Sequence, residues 1–561
     1  MLIGIDVGGT FTDAVLISGG KIDGQVKVPT DGRNLLESIL RALDELLHGK
    51  PAQDIDRVAF STTLVTNAIV QGQVEPVGLF IVPGPGADWR GRLAGEPVVL
   101  TGYVDHRGRV RQESRPNEWA EACWKMPELK FFAVSSKFSV RNPELENKLA
   151  KFIEQQVHPR NITCGASVSG SLNFIRRTNS AYYNSAVWKR FNDFADDVEL
   201  ALAKRKILAP IFILKADGGT IPLATARTLP VESIFTGPAA SVLGVMALCR
   251  PQAPAISLDI GGTTTDIAFW KAGEPLFDGK GAAIGGYLTA VRTFRLRSIG
   301  LGGDSWVRRK SGELVTGPER KGPAMALGGM EPTVTDALVV AGLCQIGNRD
   351  KAEAGIRQLS LPGKSSLETA LDIVNFAAER INTAVGEMLA EEKESPVYRV
   401  EDIIRPDHFV PEILVGVGGG AQGLIPVVAE KMNLVWQVPH YAMVANAIGA
   451  ALARPTLNIS LRADTADQEY TVPELGLRKK MPERWFGLEQ VRRLAADHLL
   501  ELANAAGIDV PEIETTFEEE FNLVRGFSTV GKIISIGVQI KPGIITELSV
   551  EDEIRGDRQW L

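Results

Sequence analysis

Leu2-Ile3-Gly4-Ile5-Asp6-Val7-Gly8-Gly9-Thr10-Phe11-Thr12-Asp13 opens the chain, and Ile256-Ser257-Leu258-Asp259-Ile260-Gly261-Gly262-Thr263-Thr264-Thr265-Asp266 repeats its pattern near the middle. Each copy begins with a short apolar run, which predicts a buried strand. Each then sets Asp, two Gly, Thr and a second Asp at the same spacing. An Asp at a strand end is a hard oxygen ligand that can hold Mg²⁺ directly or through its waters. Paired glycines allow a tight turn and bring N–H groups close to phosphate oxygens. Thr adds a hydroxyl donor. The apolar run Ala14-Val15-Leu16-Ile17 predicts the returning strand of a hairpin. One such motif is compatible with an ordinary turn; two copies imply two related lobes that offer phosphate-binding hairpins to one nucleotide. Gly363-Lys364-Ser365 has the tail of a Walker loop, but Gln358 stands where the earlier glycine is required, so that reading is discarded.

The length of 561 residues predicts three or four domains, or two large ones with additions, and 44% hydrophobic residues suffice for sizeable cores. Lys and Arg number 61 against 68 Asp and Glu, a net charge of −7 without a basic block. That gives no support for nucleic-acid or anionic-membrane binding. The start Met1-Leu2-Ile3-Gly4-Ile5-Asp6 reaches an acid at once, which argues against a signal peptide. The longest apolar region, 409–429, is broken by Pro411, Glu412, Pro426 and several glycines, so it reads as strand, loop and helix, not as a membrane span. Cys123, Cys164, Cys249 and Cys344 are far apart with no CxxC spacing, which argues against structural zinc or iron–sulfur and fits a reduced, cytoplasmic protein.

Along the chain, the leucine and isoleucine stripe over 34–47 predicts a helix. Arg57-Val58-Ala59-Phe60 and Val77–Val82 predict strands, with a loop-rich stretch over 83–130. A strand at 131–135, a helix over 143–157 and a long helix over 180–205 follow. Thr236-Gly237-Pro238 opens a helix whose N-terminus suits an anion. Ser298 to Ser305 reads as a Gly-rich turn into a helix facing the cleft. Strand 412–417, Val415-Gly416-Val417-Gly418-Gly419-Gly420-Ala421 and the small-residue helix from Asn446 complete the second half. Residues 456–561 change composition and predict a separate α+β domain, with a helix at 488–506 followed by strands.

The two repeats and the Gly418–Gly420 turn resemble the phosphate 1, phosphate 2 and adenosine motifs of the actin-like ATPases. Within that superfamily the chain is similar to the hydantoinase/5-oxoprolinase A-subunit family. That resemblance is carried also by Ser61-Thr62-Thr63-Leu64-Val65-Thr66-Asn67-Ala68, by Phe235-Thr236-Gly237-Pro238-Ala239-Ala240, by Ser298-Ile299-Gly300-Leu301-Gly302-Gly303-Asp304-Ser305 and by Glu331-Pro332-Thr333-Val334-Thr335-Asp336-Ala337. It implies an α/β fold of duplicated ribonuclease-H-like lobes around a nucleotide cleft, at 1–185 and 186–455, with the α+β domain at 456–561. The pattern also departs from the family. Phe60-Ser61 stands for His-Gly, a Ser-His-Glu run is missing near 162–170, Arg176 replaces a Glu, and Asp304 replaces a Gly. Arg177, Thr178 and Asn184 match. Arg176 in place of an acid could recruit an anionic group.

The resemblance implies an enzyme: a subunit of an ATP-dependent cyclic-amide hydrolase that phosphorylates a substrate carbonyl. Asp6 and Asp259 would hold Mg²⁺, with Asp13 and Asp266 as further catalytic candidates. Gly8, Gly9, Thr10, Thr12, Gly261, Gly262, Thr263, Thr264, Gly302, Gly303 and Gly418, Gly419, Gly420 would bind ATP. Thr62, Thr63, Asn67, Arg177, Thr178, Asn184 and Gly237 would face a small-molecule substrate. A separate B-type subunit and a homo- or hetero-oligomer are the expected partners. Three other readings stand beside it: an ATP-dependent carboxylase subunit, a small-molecule kinase, or an actin-like ATPase that remodels or reactivates a partner enzyme.

Overall fold

The computed structural model describes residues 1–32, 34–394, 409–481, 487–549 and 554–556. Its two large sheets are each built outward from one of the repeated hairpins. In the first, Leu2–Val7 pairs antiparallel with Phe11–Ser18, placing Asp6 opposite Asp13. In the second, Ala255–Ile260 pairs antiparallel with Thr265–Lys271, placing Asp259 opposite Asp266. The equal spacing of the two motifs thus becomes equal register. Each hairpin's first strand then takes a parallel neighbour on its other edge, Arg57–Thr62 in the first sheet and Ile413–Val417 in the second. These central strands are buried on both faces, as their unbroken apolar runs require.

The first sheet continues through Ile211–Leu214, parallel to Arg57–Thr62, and ends on Thr220–Pro222. The lobe boundary expected between 185 and 186 therefore needs correction. It falls inside one helix, Phe174–Lys204, whose apolar residues pack into the first core together with Ile213, Ile221 and Ile234. A strand cannot leave its sheet without orphaning its ladder groups, so the first lobe retains the chain through about residue 234.

A third sheet was not expected as a unit. Asn161–Cys164, Phe131–Ser136, Val77–Val82 and Pro97–Val99 pair in parallel and enclose a core of their own around Phe80, Phe132 and Trp119. The stretch 83–130, expected as loop, contains the helix Pro116–Trp124 that covers this core. Beyond Asn458, five antiparallel strands are covered by the helix Leu488–Ala505. The expected helix is followed by the strands Ile513–Arg525 and Ser528–Ile540, but three strands that were not expected, Asn458–Asp464, Glu469–Val472 and Leu477–Lys480, precede it. Within 456–561, residues 482–486, 550–553 and 557–561 lie outside the described residues.

Two local expectations change. Ser298–Ser305 leads into the strand Val307–Lys310, not into a helix. The long helix expected from Ser180 starts six residues earlier, at Phe174, because the Asn173 side chain caps it by accepting from the Arg176 N–H. Ser365, discarded as a Walker residue, caps the helix Ser366–Lys393 through a reciprocal box with Glu368. Among the described residues, no helix is long and apolar enough to cross a membrane, and none of the four cysteines forms a disulfide.

Candidate nucleotide cleft

The two hairpin turns face one another across a cleft of about 160 Å³. Gly8, Gly9 and Thr10 line it from the first turn, and Gly261, Gly262, Thr263 and Thr264 from the second. Each turn is closed in the same way: the Gly8 N–H donates to the Phe11 carbonyl at 3.0 Å, and the Gly261 N–H to the Thr264 carbonyl at 3.0 Å. The N-terminus of the helix Thr236–Leu248 enters from the side with Gly237 and Pro238. Thr63, Gly418 and Gly419 complete the wall.

Asp6, Asp13, Asp259 and Asp266 all reach this cleft. Burial pushes the Asp6 carboxyl up to about 7, and the charge on Asp13 adds to the effect. Burial and then the charge on Asp259 push Asp266 up to about 7 as well. Asp13 and Asp259 rise for the same primary reason, burial. Four desolvated carboxylates around one cavity form a cation-seeking arrangement. Asp6 Oδ1 is buried and makes no hydrogen bond. That orphaned oxygen fits Mg²⁺ or one of its waters. Among the described residues no group of three or more His, Cys, Asp or Glu is placed to hold a metal ion by itself. This donor set suits an ion whose remaining ligands are phosphate oxygens and water, the usual habit of Mg²⁺.

Sequence reasoning missed two cleft residues. Asn446, on the helix Ala445–Leu452, directs its Nδ2 toward Asp259 Oδ2 at 3.1 Å and Asp6 Oδ2 at 3.4 Å, linking the two lobes' acids. Lys27, on Lys21–Pro29, grips both oxygens of Asp13 at 2.8 and 2.7 Å and stands 5.1 Å from the Phe11 ring centre. Its strand position opposite Asp13 was available as a cross-strand signal once the register was fixed. Asn446 gave none, because its partners are hundreds of residues away.

Gly418 has φ +87°, and a Cβ there would lie 2.4 Å from Asp259 Oδ1. Only glycine lets this turn approach the acid so closely. Beside it, a second hollow of about 220 Å³ shares Gly418, Gly419, Ala442 and Met443 with the cleft. Leu338, Cys344, Ile346 and Tyr441 make it more apolar, and Gly420 belongs to this part. A polar, amide-lined cavity that opens into an apolar one has the division a nucleotide requires.

Several expected site residues lie elsewhere. Thr12 is fully buried behind the first hairpin, hydrogen-bonded to Thr30. Gly302 and Gly303 brace the second turn from behind: the Gly303 N–H donates to the Gly261 carbonyl at 2.9 Å, and a Cβ on Gly302 would strike Gly261 and Gly262. Asp304, next to them, pairs with Arg320 at 3.1 Å. Thr62 exchanges hydrogen bonds with the Thr236 hydroxyl, tying the Thr63 loop to the helix start. Asn67 only reaches Thr63, at 3.2 Å. Arg177 is fully buried, donating to the Ser171 and Ser136 carbonyls beside Glu146. Thr178 bonds Ser135 and the Phe174 carbonyl; Asn184 ties Thr163, the Thr228 carbonyl and the Val231 N–H together. These three hold the third sheet against the long helix and do not reach the cleft.

The hydantoinase/oxoprolinase family matches residues 177–459, just over half of the chain, and its N-terminal region matches residues 2–157. The chain belongs to the hydantoinase/oxoprolinase family. It is 26% identical over 503 residues to the caprolactamase subunit alpha of Pseudomonas jessenii, covering 80% of this chain and 70% of that one. It is 26% identical over 451 residues to the acetophenone carboxylase gamma subunit of Aromatoleum aromaticum, covering 68% of this chain and 60% of that one. A 5-oxoprolinase of Pestalotiopsis fici is 28% identical over 222 residues, but only 16% of its length is spanned. In fold, this family member is similar to nucleotide-free acetone carboxylase, with a TM-score of 0.71 at 16% identity over 97% of this chain and 88% of that chain. It is also similar to the ATP-dependent caprolactamase of Pseudomonas jessenii, with a TM-score of 0.69 at 21% identity over 96% and 87%. The likeness in fold thus extends into the domain beyond 456, where resemblance in sequence fades.

Proposed function

We propose that this chain is the ATP-using subunit of a cyclic-amide hydrolase of the hydantoinase/5-oxoprolinase type. The observation that carries this is the pair of in-register hairpins setting four carboxylates and two amide-lined turns around one cleft. The shared order of the two sheets, a hairpin followed by parallel strands, supports duplicated ribonuclease-H-like lobes of the actin-like ATPase kind.

In this reading the substrate's carbonyl oxygen attacks the γ-phosphorus of ATP. The bond between that phosphorus and the β–γ bridging oxygen breaks and ADP leaves. Water then adds to the activated carbon, the ring C–N bond breaks as the nitrogen leaves with a proton, and a second water hydrolyses the resulting acyl phosphate to carboxylate and phosphate. Phosphoryl transfer asks the protein chiefly for positioning and charge stabilisation. The amides of Gly9 and Gly262 and the hydroxyls of Thr10, Thr263 and Thr264 would cradle the phosphates, with Gly8 and Gly261 holding the two turns closed and the Thr236–Leu248 helix start adding positive potential. Asp6 and Asp259, aligned by Asn446, would hold Mg²⁺, which supplies charge neutralisation when bound. Asp13 and Asp266 would orient water or receive a proton, Asp13 under the control of Lys27. A separate B-type subunit, assembly into an oligomer and a cytoplasmic setting belong to the same proposal.

A second reading is favoured by the acetophenone carboxylase relative and the fold likeness to acetone carboxylase: the same cleft would phosphorylate a ketone or bicarbonate in a carboxylation. One measurement separates them. ADP release by the chain, with its candidate companion subunit, is followed against hydantoins, lactams, ketones and bicarbonate. Release matched one-for-one by ring opening establishes the hydrolase. Release that needs a ketone and bicarbonate together replaces it with the carboxylase. Release indifferent to every compound but raised by a protein partner would replace both with a remodelling ATPase.

A further inference from the structure

A second cavity, of about 350 Å³, lies where the first lobe, the loop 277–292 and the C-terminal domain meet, and it shares no lining residue with the nucleotide cleft. That is space for roughly ten waters at ~30 Å³ each. Its walls are rich in charge, and most of those charges are already satisfied by protein partners.

Asp217 is fully engaged. It accepts from Lys215 Nζ at 3.1 Å, from the Gly219 N–H at 3.0 Å and from Gln539 Nε2 at 2.5 Å. Glu474 accepts from the Gly170 and Ser460 N–H groups, each at 3.0 Å. Arg292 is held by Glu514 and by Gln539 Oε1 and lies over the Phe277 ring. These contacts build the walls and lock the C-terminal domain onto the lobe.

Three groups are left over. Lys215 is only 2% exposed, yet among the described residues its ammonium donates one side-chain bond, to Asp217, with two N–H donors to spare. Arg176 lines the cavity from the start of the long helix with its guanidinium free of any protein acceptor among the described residues. Glu232 faces Lys215 and Asp217 with no hydrogen bond to its carboxyl among the described residues, and burial pushes it up to about 7. Charged groups drawn out of bulk water with spare hydrogen-bonding capacity are costly, and a cavity lined by buried Lys215 and half-buried Arg176 and Glu232 suits something polar. An Arg and a Lys donor lining one cavity call for a carboxylate, and an unpartnered carboxyl beside the lysine calls for an N–H.

We propose that this cavity is a second ligand site, for a small organic molecule that carries a carboxylate and an N–H donor. Arg176 and Lys215 take the carboxylate, and Glu232 takes the N–H. The domain beyond 456 thereby gains a role, since Gln539, Glu474 and Ser460 form part of the site. The inference concerns binding alone and stands independently of the cyclic-amide reading.

The test is calorimetric titration of the full chain with two ring pairs that differ only in the acid: 5-oxoproline against 2-pyrrolidinone, and hydantoin-5-acetate against hydantoin. At least one acid is expected to bind tenfold or more tightly than its uncharged counterpart. Arg176→Gln is expected to weaken that acid at least tenfold while leaving the Kd for ADP unchanged, which also shows that the variant is folded. No binding by either acid at 10 mM, equal binding within both pairs, or an affinity untouched by Arg176→Gln would each overturn the site. An acid that binds through Arg176 keeps the site whether or not it stimulates ADP release.

Discussion

At the residue scale the cleft is governed by how carboxylates behave when buried together. Asp6 and Asp259 come from different lobes and meet at Asn446. Replacing either with Asn removes a charge, keeps the volume, and leaves the hairpin register intact. Asp6→Asn and Asp259→Asn are therefore expected to lose Mg-dependent ATP turnover by a factor of 10² or more, with thermal stability equal to or above that of the parent. Full ATPase activity in either variant would remove the cation assignment. Glu232 allows a test in which pH reveals the strain of burial. Its folded-state value is raised from 4.5 to about 7, facing Lys215 and Asp217. The folded state thus binds the proton more tightly than the unfolded chain does. Stability from this group is full below about pH 4.5 and falls as pH rises toward 7. Glu232→Gln cannot lose that proton, so it should exceed the parent in stability above pH 7 by about 1–2 kcal/mol, with the gap closing toward pH 4.5. Urea titrations at pH 5 and 8 measure it; a gap that does not change with pH would refute the burial argument.

At the element scale the site depends on short helices whose starts are fixed by side chains. Asp336 is completely buried, and its carboxylate accepts from the Met325, Ala326 and Thr333 N–H groups and from the Thr333 hydroxyl. It caps Val334–Val340 and fastens the preceding loop beneath the Gly302-Gly303 brace, where the Thr335 N–H donates to the Gly303 carbonyl at 2.8 Å. Asp336→Ala strands those donors and is expected to cost about 3 kcal/mol or more, read by thermal unfolding. Legibility in the sequence follows the same line between local and distant causes. The hairpins could be read because strand, turn and strand lie within a dozen residues and repeat. The N-terminus of Thr236–Leu248 could be read from Pro238. The third sheet could not, although Val77–Val82 and Phe131–Ser136 are plain apolar runs, because nothing local states which sheet a parallel strand joins. The family resemblance alone assigns Arg177, Thr178 and Asn184 to substrate. Here they satisfy buried backbone groups at a sheet–helix junction, a demand visible only after packing.

At the scale of the whole molecule, one helix holds the two lobes in register. Ala445–Leu452 is inserted between the strand Leu2–Val7 and the helix Thr236–Leu248, and the fit is made by glycines. A Cβ on Gly4 would lie 2.0 Å from the Ala447 carbonyl oxygen, one on Gly244 would lie 2.2 Å from that of Ala445, and one on Gly449 would lie 2.0 Å from that of Ala240. Each clash is with backbone, so no side chain can swing aside to relieve it. Arg57, fully enclosed, reinforces the junction by donating to the Ala453 carbonyl at 2.6 Å and to Thr220 at 2.7 Å. The helix that closes the lobes also carries Asn446, so separation of the lobes and disordering of the acids are one event. Gly449→Ala should therefore lower stability by 3 kcal/mol or about that, at the upper end of overpacking costs, and weaken ADP binding although residue 449 lines neither cleft nor hollow. The control is Gly386→Ala, in the exposed middle of Ser366–Lys393, where a Cβ meets nothing within 4 Å. There the same substitution should raise stability by about 0.5–1 kcal/mol through helix propensity alone and leave ADP affinity unchanged. Opposite signs from one chemical change would show that the lobe junction, and not glycine's flexibility, sets the cleft. A Gly449→Ala protein that melts and binds ADP like its parent would show instead that the lobes are positioned by other contacts.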